Sequence, residues 1–498
     1  MILSQENLNH IHSENLIKPN AQIFELPEKV LQFGTGVLLR GLPDYFIDKA
    51  NRQGVFNGRV AVVKSTNGTT AEFDGQDNLY TLCIRGISNG QPVSENIISS
   101  AISRVISANE NWADILTIAK SKDLQIIVSN TTEVGIQLVE ENINQNPPLS
   151  FPAKILAVLH ERYKTLGSNN TGLVIVATEL IPDNGKKLGQ FVIELAKFNN
   201  LSDDFILWLK DENNFCNSLV DRIVPGKPNA ETLTSLKKEL GYQDNLLSMS
   251  EPYSLWAIEG NAKVAEVLTF AKVDEGVVIA EDIEIYRELK VRLLNGTHTL
   301  TSGIAFLSGI NLVKDAMQNE QIKNYIDTAM ATEIAPAIPY QVAEAQTTAF
   351  ASTVKDRFAN PSIAHLWLNI TFQYSMKMKI RILPLLLNHY KLFNHVPEHI
   401  AFGFAAYLTF MKVNRKENEN YYGQHNGINY LITDDSADYF YKKTENSNYA
   451  KAVLSDVDFW NTDLNLLEGF VTAVVASFDD IERDGMINAQ AELTNQVK

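Results

Sequence analysis

Residues 29–40 read Lys-Val-Leu-Gln-Phe-Gly-Thr-Gly-Val-Leu-Leu-Arg. Lys29 to Phe33 has the make-up of a strand, and Val37 to Ala50 carries apolar residues at helical spacing. Gly34, Thr35 and Gly36 lie between them. Glycines directly after a strand let the chain turn tightly and let its backbone approach a pyrophosphate, while the following helix N-terminus, beginning at Val37 and Leu38, offers free N–H groups. The third glycine of the usual fingerprint is absent, because Leu39 holds its place. An ordinary strand-to-helix turn is the competing reading of Gly-x-Gly, and the strand-before, helix-after context brings the dinucleotide one level with it.

Further out, the alternation continues. Arg59 to Val63, Leu124 to Val128 and Leu173 to Ala177 read as strands. Ala113 to Lys120, Pro152 to Tyr163 and Gly185 to Phe198 read as helices. Strands alternating with helices predict βαβ units and a parallel sheet, and runs such as VAVV and LVIVA suit strands covered on both faces. From about Glu281 the pattern turns helical, through Ile283 to Leu294, Ile322 to Ala331, Ile363 to Phe372 and Ile400 to Met411. The reading is therefore α/β followed by mostly α, with residues 1–280 as a dinucleotide-binding domain and 281–498 as a helical substrate domain. Asn418 to Asn448, polar and rich in Tyr and Asn, reads as a surface excursion.

Composition narrows the function. The 498 residues carry 43 Lys and Arg against 59 Asp and Glu, a net charge of −16. That disfavours general binding to nucleic acid or anionic membrane, which need a cationic face. An anionic small molecule would need a local basic pocket. Two cysteines, Cys83 and Cys216, exclude a disulfide framework and a Cys-x-x-Cys zinc site. The N-terminus lacks a basic region followed by an apolar one, so no signal peptide is expected, and a cytoplasmic protein is. His395 and His399 have a spacing a metal could use, but Pro397 between them suggests a turn, and no metal is expected.

Two clusters carry chemistry. After the second strand, Lys64-Ser65-Thr66-Asn67 stands where an acid would hold a ribose 2′-hydroxyl. Lys64 would suit a 2′-phosphate, or is a solvated loop lysine, so the residues leave NAD against NADP open. Farther on lies Lys290-Val291-Arg292-Leu293-Leu294-Asn295-Gly296-Thr297-His298. A lysine that moves a proton, with an amide and an imidazole donating to a developing oxyanion, suits carbonyl reduction or alcohol oxidation. On a straight helix Lys290 and Asn295 point about 140° apart. Convergence then needs side-chain reach or a break, and Asn295-Gly296 offers one. A surface lysine, a helix-breaking asparagine and a core histidine are the alternative reading.

At these residues the chain resembles the mannitol dehydrogenase family of polyol-specific long-chain dehydrogenases. LQFGTGVLLRG (31–41), NSLVDRIVP (217–225), EPYSLWAIEG (251–260), KVRLLNGTHTL (290–300) and RFANPSIAH (357–365) carry the likeness, in order, across about 330 residues. LQFGTGVLLRGLPDYFIDKA and TELIPDNG (178–185) resemble the family's hexuronate branch. The resemblance implies a Rossmann-type N-terminal domain, a mostly helical C-terminal domain, a site in the cleft between, no zinc, and reversible NAD-dependent reduction of D-tagaturonate to D-altronate. It implies Lys290 as general acid/base, Asn295 as oxyanion donor, His298 as the residue orienting the substrate oxygen, Gly34 and Gly36 as the dinucleotide turn, and Asp221 near the nicotinamide end. Mannitol dehydrogenases have an Asp-Asn pair where this chain has Glu179-Leu180, and Leu180 cannot donate, which favours the uronate branch. Mannonate (fructuronate) oxidoreductase, mannitol 2-dehydrogenase and a catalytically retired nucleotide-binding protein are the alternatives. A hexuronate carries a carboxylate, for which Arg357, Lys377, Lys379 and Arg381 are the candidate partners, or else a solvated basic helix face. A monomer or small homo-oligomer is expected.

Overall fold

The computed structural model describes residues 1–131 and 135–496 and divides into two compact units, one of residues 1–86 and 92–283, the other of residues 87–91 and 284 onward. Among the described residues no helix is long and apolar enough to cross a membrane.

The first unit is built on six parallel strands: β1 (Glu28–Phe33), β2 (Arg59–Lys64), β3 (Ile102–Ser107), β4 (Ile126–Ser129), β5 (Val174–Ala177) and β6 (Asn214–Cys216). Their spatial order is β3-β2-β1-β4-β5-β6, the doubly wound Rossmann order, whose direction reverses between β1 and β4. The strands are largely apolar on both faces because both are covered. Leu31, Phe33, Val63, Ile127 and Ile175 meet Trp112, Leu156, Leu188 and Trp208 on one side. Val30, Val60, Val62, Val128 and Val176 meet Leu39, Leu42, Phe46, Trp256 and Phe270 on the other. Each fully buried aliphatic or aromatic side chain contributes about 1.5–3 kcal/mol. A one-residue slip of β1 would exchange its faces, so the register is strongly specified.

The helix expected over Val37 to Ala50 is two helices, α1 (Val37–Gly41) and α2 (Pro43–Arg52). Pro43 disfavours helical backbone at the residue before it, and Leu42 sits at φ −133°, ψ −78°. Two sheets went unanticipated in this unit. One joins Leu16–Ile17, Gln91–Ser99, Tyr80–Ser88 and Ser248–Ser250; the other joins Ser218–Asp221, Leu255–Glu259 and Val277–Ala280.

In the second unit Glu284–Leu289, the π-helical turn Lys290–Gly296 and Thr297–Leu307 follow one another without interruption. The helix Glu398–Met411 is buried nearly all round and contributes Ile400, Phe404, Leu408 and Met411 to the core. Ile363 to Phe372 is not the helix expected; only Trp367–Ile370 is helical. The polar stretch after residue 414 is no mere excursion. Arg415–Glu417, Asn420–His425 and Ile428–Ile432 form an antiparallel sheet, and Tyr430 and Ile432 enter the core. Asn426-Gly427, both at positive φ, make the two-residue turn between His425 and Ile428.

Candidate active site

In the first unit the Gly34–Gly36 turn leaves the carboxyl end of β1, where the strand order reverses. Gly34 sits at φ +129°, and a Cβ there would come within 2.8 Å of Leu39 Cδ1 and 3.0 Å of the Asn130 carbonyl at the end of β4. Only glycine fits so close an approach. Gly36, at φ −63°, has nothing within 4 Å of its Cβ position among the described residues. Backbone with no side chain over it, at the reversal point of a doubly wound sheet, suits a dinucleotide pyrophosphate. Val37 and Leu38 open α1. Lys64 folds back on its own loop, donating to Thr66 Oγ1 at 3.0 Å and to the Asn67 carbonyl at 3.1 Å. Asp221 is buried at the end of its strand, and Arg222 beside it donates to the carbonyls of Gly41 and Glu251 while lying 4.4 Å from the Tyr45 ring centre.

Glu179 and Leu180 differ in kind. The buried Glu179 carboxylate accepts from Ser129 Oγ, Thr131 N and Thr131 Oγ1 at 2.8–3.1 Å, so it is tied to the end of β4. Leu180 is 63% exposed.

In the second unit the geometry corrects the expected break at Asn295-Gly296. Gly296 is helical, at φ −64°, ψ −49°, and the chain instead widens into a π-turn from Lys290 to Gly296. Hydrogen bonds running i to i+5 absorb one residue, so residues five apart stack as i and i+4 do in an α-helix. Lys290, Asn295 and His298 are thereby brought within roughly 60° of one helix face. Arg292 clamps this turn to a second π-turn, Met378–Ile382: its guanidinium donates to the carbonyls of Ile380 (2.7 Å) and Arg381 (3.0 Å) and pairs with Glu288. From that second turn Arg381 Nη1 reaches Thr299 Oγ1 at 3.2 Å and the Asn295 carbonyl at 3.5 Å.

His298 stacks on Phe358 with ring centres 4.0 Å apart, and His365 and Trp367 meet it edge-on. Its Nε2 is buried and has no hydrogen-bond partner among the described residues. Burial, then the charges of His365, Arg357, Arg381 and Lys377, hold its pKa well below the usual imidazole value. Those last three are also candidate carboxylate partners, so all are in electrostatic reach of His298. Arg357 is buried near the end of helix Glu344–Phe358. Lys377 donates to the Ile370 carbonyl at 2.7 Å, and burial, with Arg381 next, pushes it down to about 8. Burial lowers Arg381 to about 10. Lys379 does not join them: its ammonium lies 3.7 Å from the Phe459 ring centre. Sequence reasoning missed His365, whose only signal was its place at the end of RFANPSIAH, and Thr299, which carried none. The expected histidine pair is separate from all this. His399 Nδ1 bonds Glu333 at 2.7 Å, and His395 Nδ1 lies 3.1 Å from its neighbouring carbonyl.

The family models for the mannitol dehydrogenase Rossmann domain and the mannitol dehydrogenase C-terminal domain match residues 28–272 and 282–482. Altronate oxidoreductase from Halalkalibacterium halodurans is 36% identical, covering 99% of this chain and 98% of that enzyme; the Bacillus subtilis one is 35% identical, covering 93% and 95%. The fold is similar to that of a D-sorbitol dehydrogenase (TM-score 0.77, 18% identity, covering 98% of this chain and 100% of that one). It is also similar to Pseudomonas fluorescens mannitol 2-dehydrogenase, solved with NAD and D-mannitol (TM-score 0.69, 20% identity, 99% and 100%). On this full-length similarity, the chain belongs to the mannitol dehydrogenase family.

Proposed function

We propose that the chain is an NAD-dependent oxidoreductase that interconverts D-tagaturonate and D-altronate in the cytoplasm. The observation that carries this reading is one helix face presenting Lys290, Asn295 and His298 beside Arg357, Lys377 and Arg381. Residues 1–280 hold the dinucleotide and 281–498 the sugar acid. Gly34, Thr35, Gly36, Val37 and Leu38 cradle the pyrophosphate, Lys64 borders the ribose side and Asp221 the nicotinamide side. NAD, when bound, supplies the hydride acceptor or donor for the carbinol or carbonyl carbon.

This chain's residues handle the proton and the charge. In the reductive direction Lys290 gives a proton to the ketone oxygen as negative charge grows there, and in the oxidative direction its amine takes that proton back. Asn295 and His298 donate hydrogen bonds to the same oxygen and bind it most strongly when it is most anionic. The depressed pKa of His298 keeps its ring neutral at pH 7, so it orients the oxygen and leaves proton transfer to Lys290. Arg357, Lys377 and Arg381 hold the carboxylate, a local cationic field in a chain of net charge −16.

The test is NADH oxidation followed by absorbance with tagaturonate, fructuronate and fructose in parallel, then with NADPH. Fast turnover of tagaturonate with NADH is expected. Preference for fructuronate or fructose would overturn the substrate assignment, and NADPH preference the cofactor assignment.

Two further results follow from the cations. Alanine at Arg357, Lys377 or Arg381 is expected to raise KM for tagaturonate about tenfold or more, and alanine at Lys379 to leave it unmoved. A KM unchanged in the first three would remove the carboxylate site. Lys377, lowered to about 8, is charged below that pH and neutral above it. KM for the anionic substrate is therefore expected to be flat below pH 8 and to climb above it, a rise that Lys377→Arg should abolish.

A further inference from the structure

Two buried polar side chains beneath the glycine turn are only half satisfied. Gln32 is fully buried on the β1 face that packs against α2, paired across the sheet with the apolar Val62 and Val128. Its Nε2 donates to the Gly34 carbonyl at 3.4 Å and to Asp44 Oδ2 at 3.3 Å. Gln32 Oε1 and Asp44 Oδ1 are both buried without a hydrogen-bond partner among the described residues.

The charged neighbours do not complete the pair. Arg40 gives Nη1 to the Leu246 carbonyl at 2.6 Å and lies against the rings of Phe73 and Tyr80. Asp48, one turn along α2, is itself matched by Arg52 at 2.8 Å and by Ser100 N and Oγ. Tyr80 spends its hydroxyl hydrogen on the Arg40 carbonyl. Burial therefore dominates at Asp44 and pushes it up to about 7, with Gln32 and Arg40 pulling down and Asp48 pushing up.

A single proton resolves both orphans. A neutral carboxyl donates O–H to Gln32 Oε1 while it accepts from Nε2, the side-by-side arrangement an acid and an amide form. The second Gln32 N–H then stays on the Gly34 carbonyl. An ionised Asp44 would draw both N–H groups toward itself, release that carbonyl, and place an uncompensated anion under the site proposed for a pyrophosphate. We propose that Gln32 and a neutral Asp44 form one hydrogen-bonded pair that sets the Gly34–Gly36 turn, making Asp44 a positioning residue for the dinucleotide. The inference rests on the dinucleotide reading above.

The test is direct titration of the full-length protein with NADH, read by nucleotide fluorescence, between about pH 6 and about pH 8.5. The wild-type Kd is expected to rise about three- to tenfold as pH passes through 7. Asp44→Asn, which keeps an amide donor facing Gln32 but cannot ionise, is expected to hold the wild-type low-pH Kd across the range. A purely structural Asp44 would shift Tm and leave no such pH signature. A variant that keeps the wild-type slope overturns the proposal. If Asp44→Asn does not fold, the wild-type titration decides alone, since a flat Kd overturns it. Failure to bind NADH at any pH overturns the cofactor reading along with it, whereas tight binding without a slope overturns the pairing only.

Discussion

Replacing Lys290 with alanine is expected to lower kcat for tagaturonate reduction by roughly two to four orders of magnitude, the range for losing a positioned general acid. KM should change little, because Arg357, Lys377 and Arg381, the cations proposed for the carboxylate, remain in place. Reversion of the loss by added primary amine would locate the defect in proton transfer. A variant with an intact kcat and a raised KM would instead make Lys290 a binding residue. Asn295→Ala should act in the same direction, by about 10²- to 10³-fold, because it removes a donor to the growing oxyanion.

The two turn glycines are expected to fail in different ways. Gly34→Ala places a Cβ within 3.0 Å of the Asn130 carbonyl at φ +129°. Backbone strain of this kind costs about 1–3 kcal/mol, so the variant should melt several degrees lower and bind NADH poorly. Gly36→Ala puts a methyl into open space on a backbone any residue adopts. It should melt as the wild type does and still lose NADH affinity by about a hundredfold, because the methyl stands where the pyrophosphate would approach. Scanning calorimetry and NADH titration on the two variants separate these outcomes. Equal, undiminished NADH affinity in both would remove the dinucleotide from this turn.

Four of the six parallel strands were legible, where local and tertiary demands agree, whereas β3 and β6 were not foreseen. β2, β4 and β5 are buried on both faces and carry near-continuous apolar runs, and the glycine turn after β1 marks the first βα unit. The smaller sheets were hidden for the opposite reason. Gln91–Ser99 begins with exposed Gln, Pro, Ser and Glu, and Asn420–His425 is almost wholly polar, so neither shows an apolar run. Asn426-Gly427 was a legible hairpin signal within a stretch dismissed for its composition. In the candidate site, the residue types at 290, 295 and 298 suggested carbonyl chemistry, but a π-turn leaves no mark in apolar spacing. Which cations gather near His298 depends on the clamp between residues 290–296 and 378–382, a long-range packing fact. Hence Lys379 looked equal to Lys377 in sequence and stands apart from it in the fold.

The π-turn also makes chain length at this point a functional quantity. Removing any one residue between Val291 and Leu294 would let Glu284 to Leu307 close as an unbroken α-helix with regular hydrogen bonding. Lys290 and Asn295 would then stand four residues apart, about 40° around the helix, so the deletion leaves them on the same face. An added residue at the same place would instead turn Lys290 about 100° away from Asn295 and His298 while keeping all three side chains. Loss of one residue should therefore be tolerated at this turn and gain of one should not, a distinction of count that an alanine scan of the intervening leucines cannot reveal.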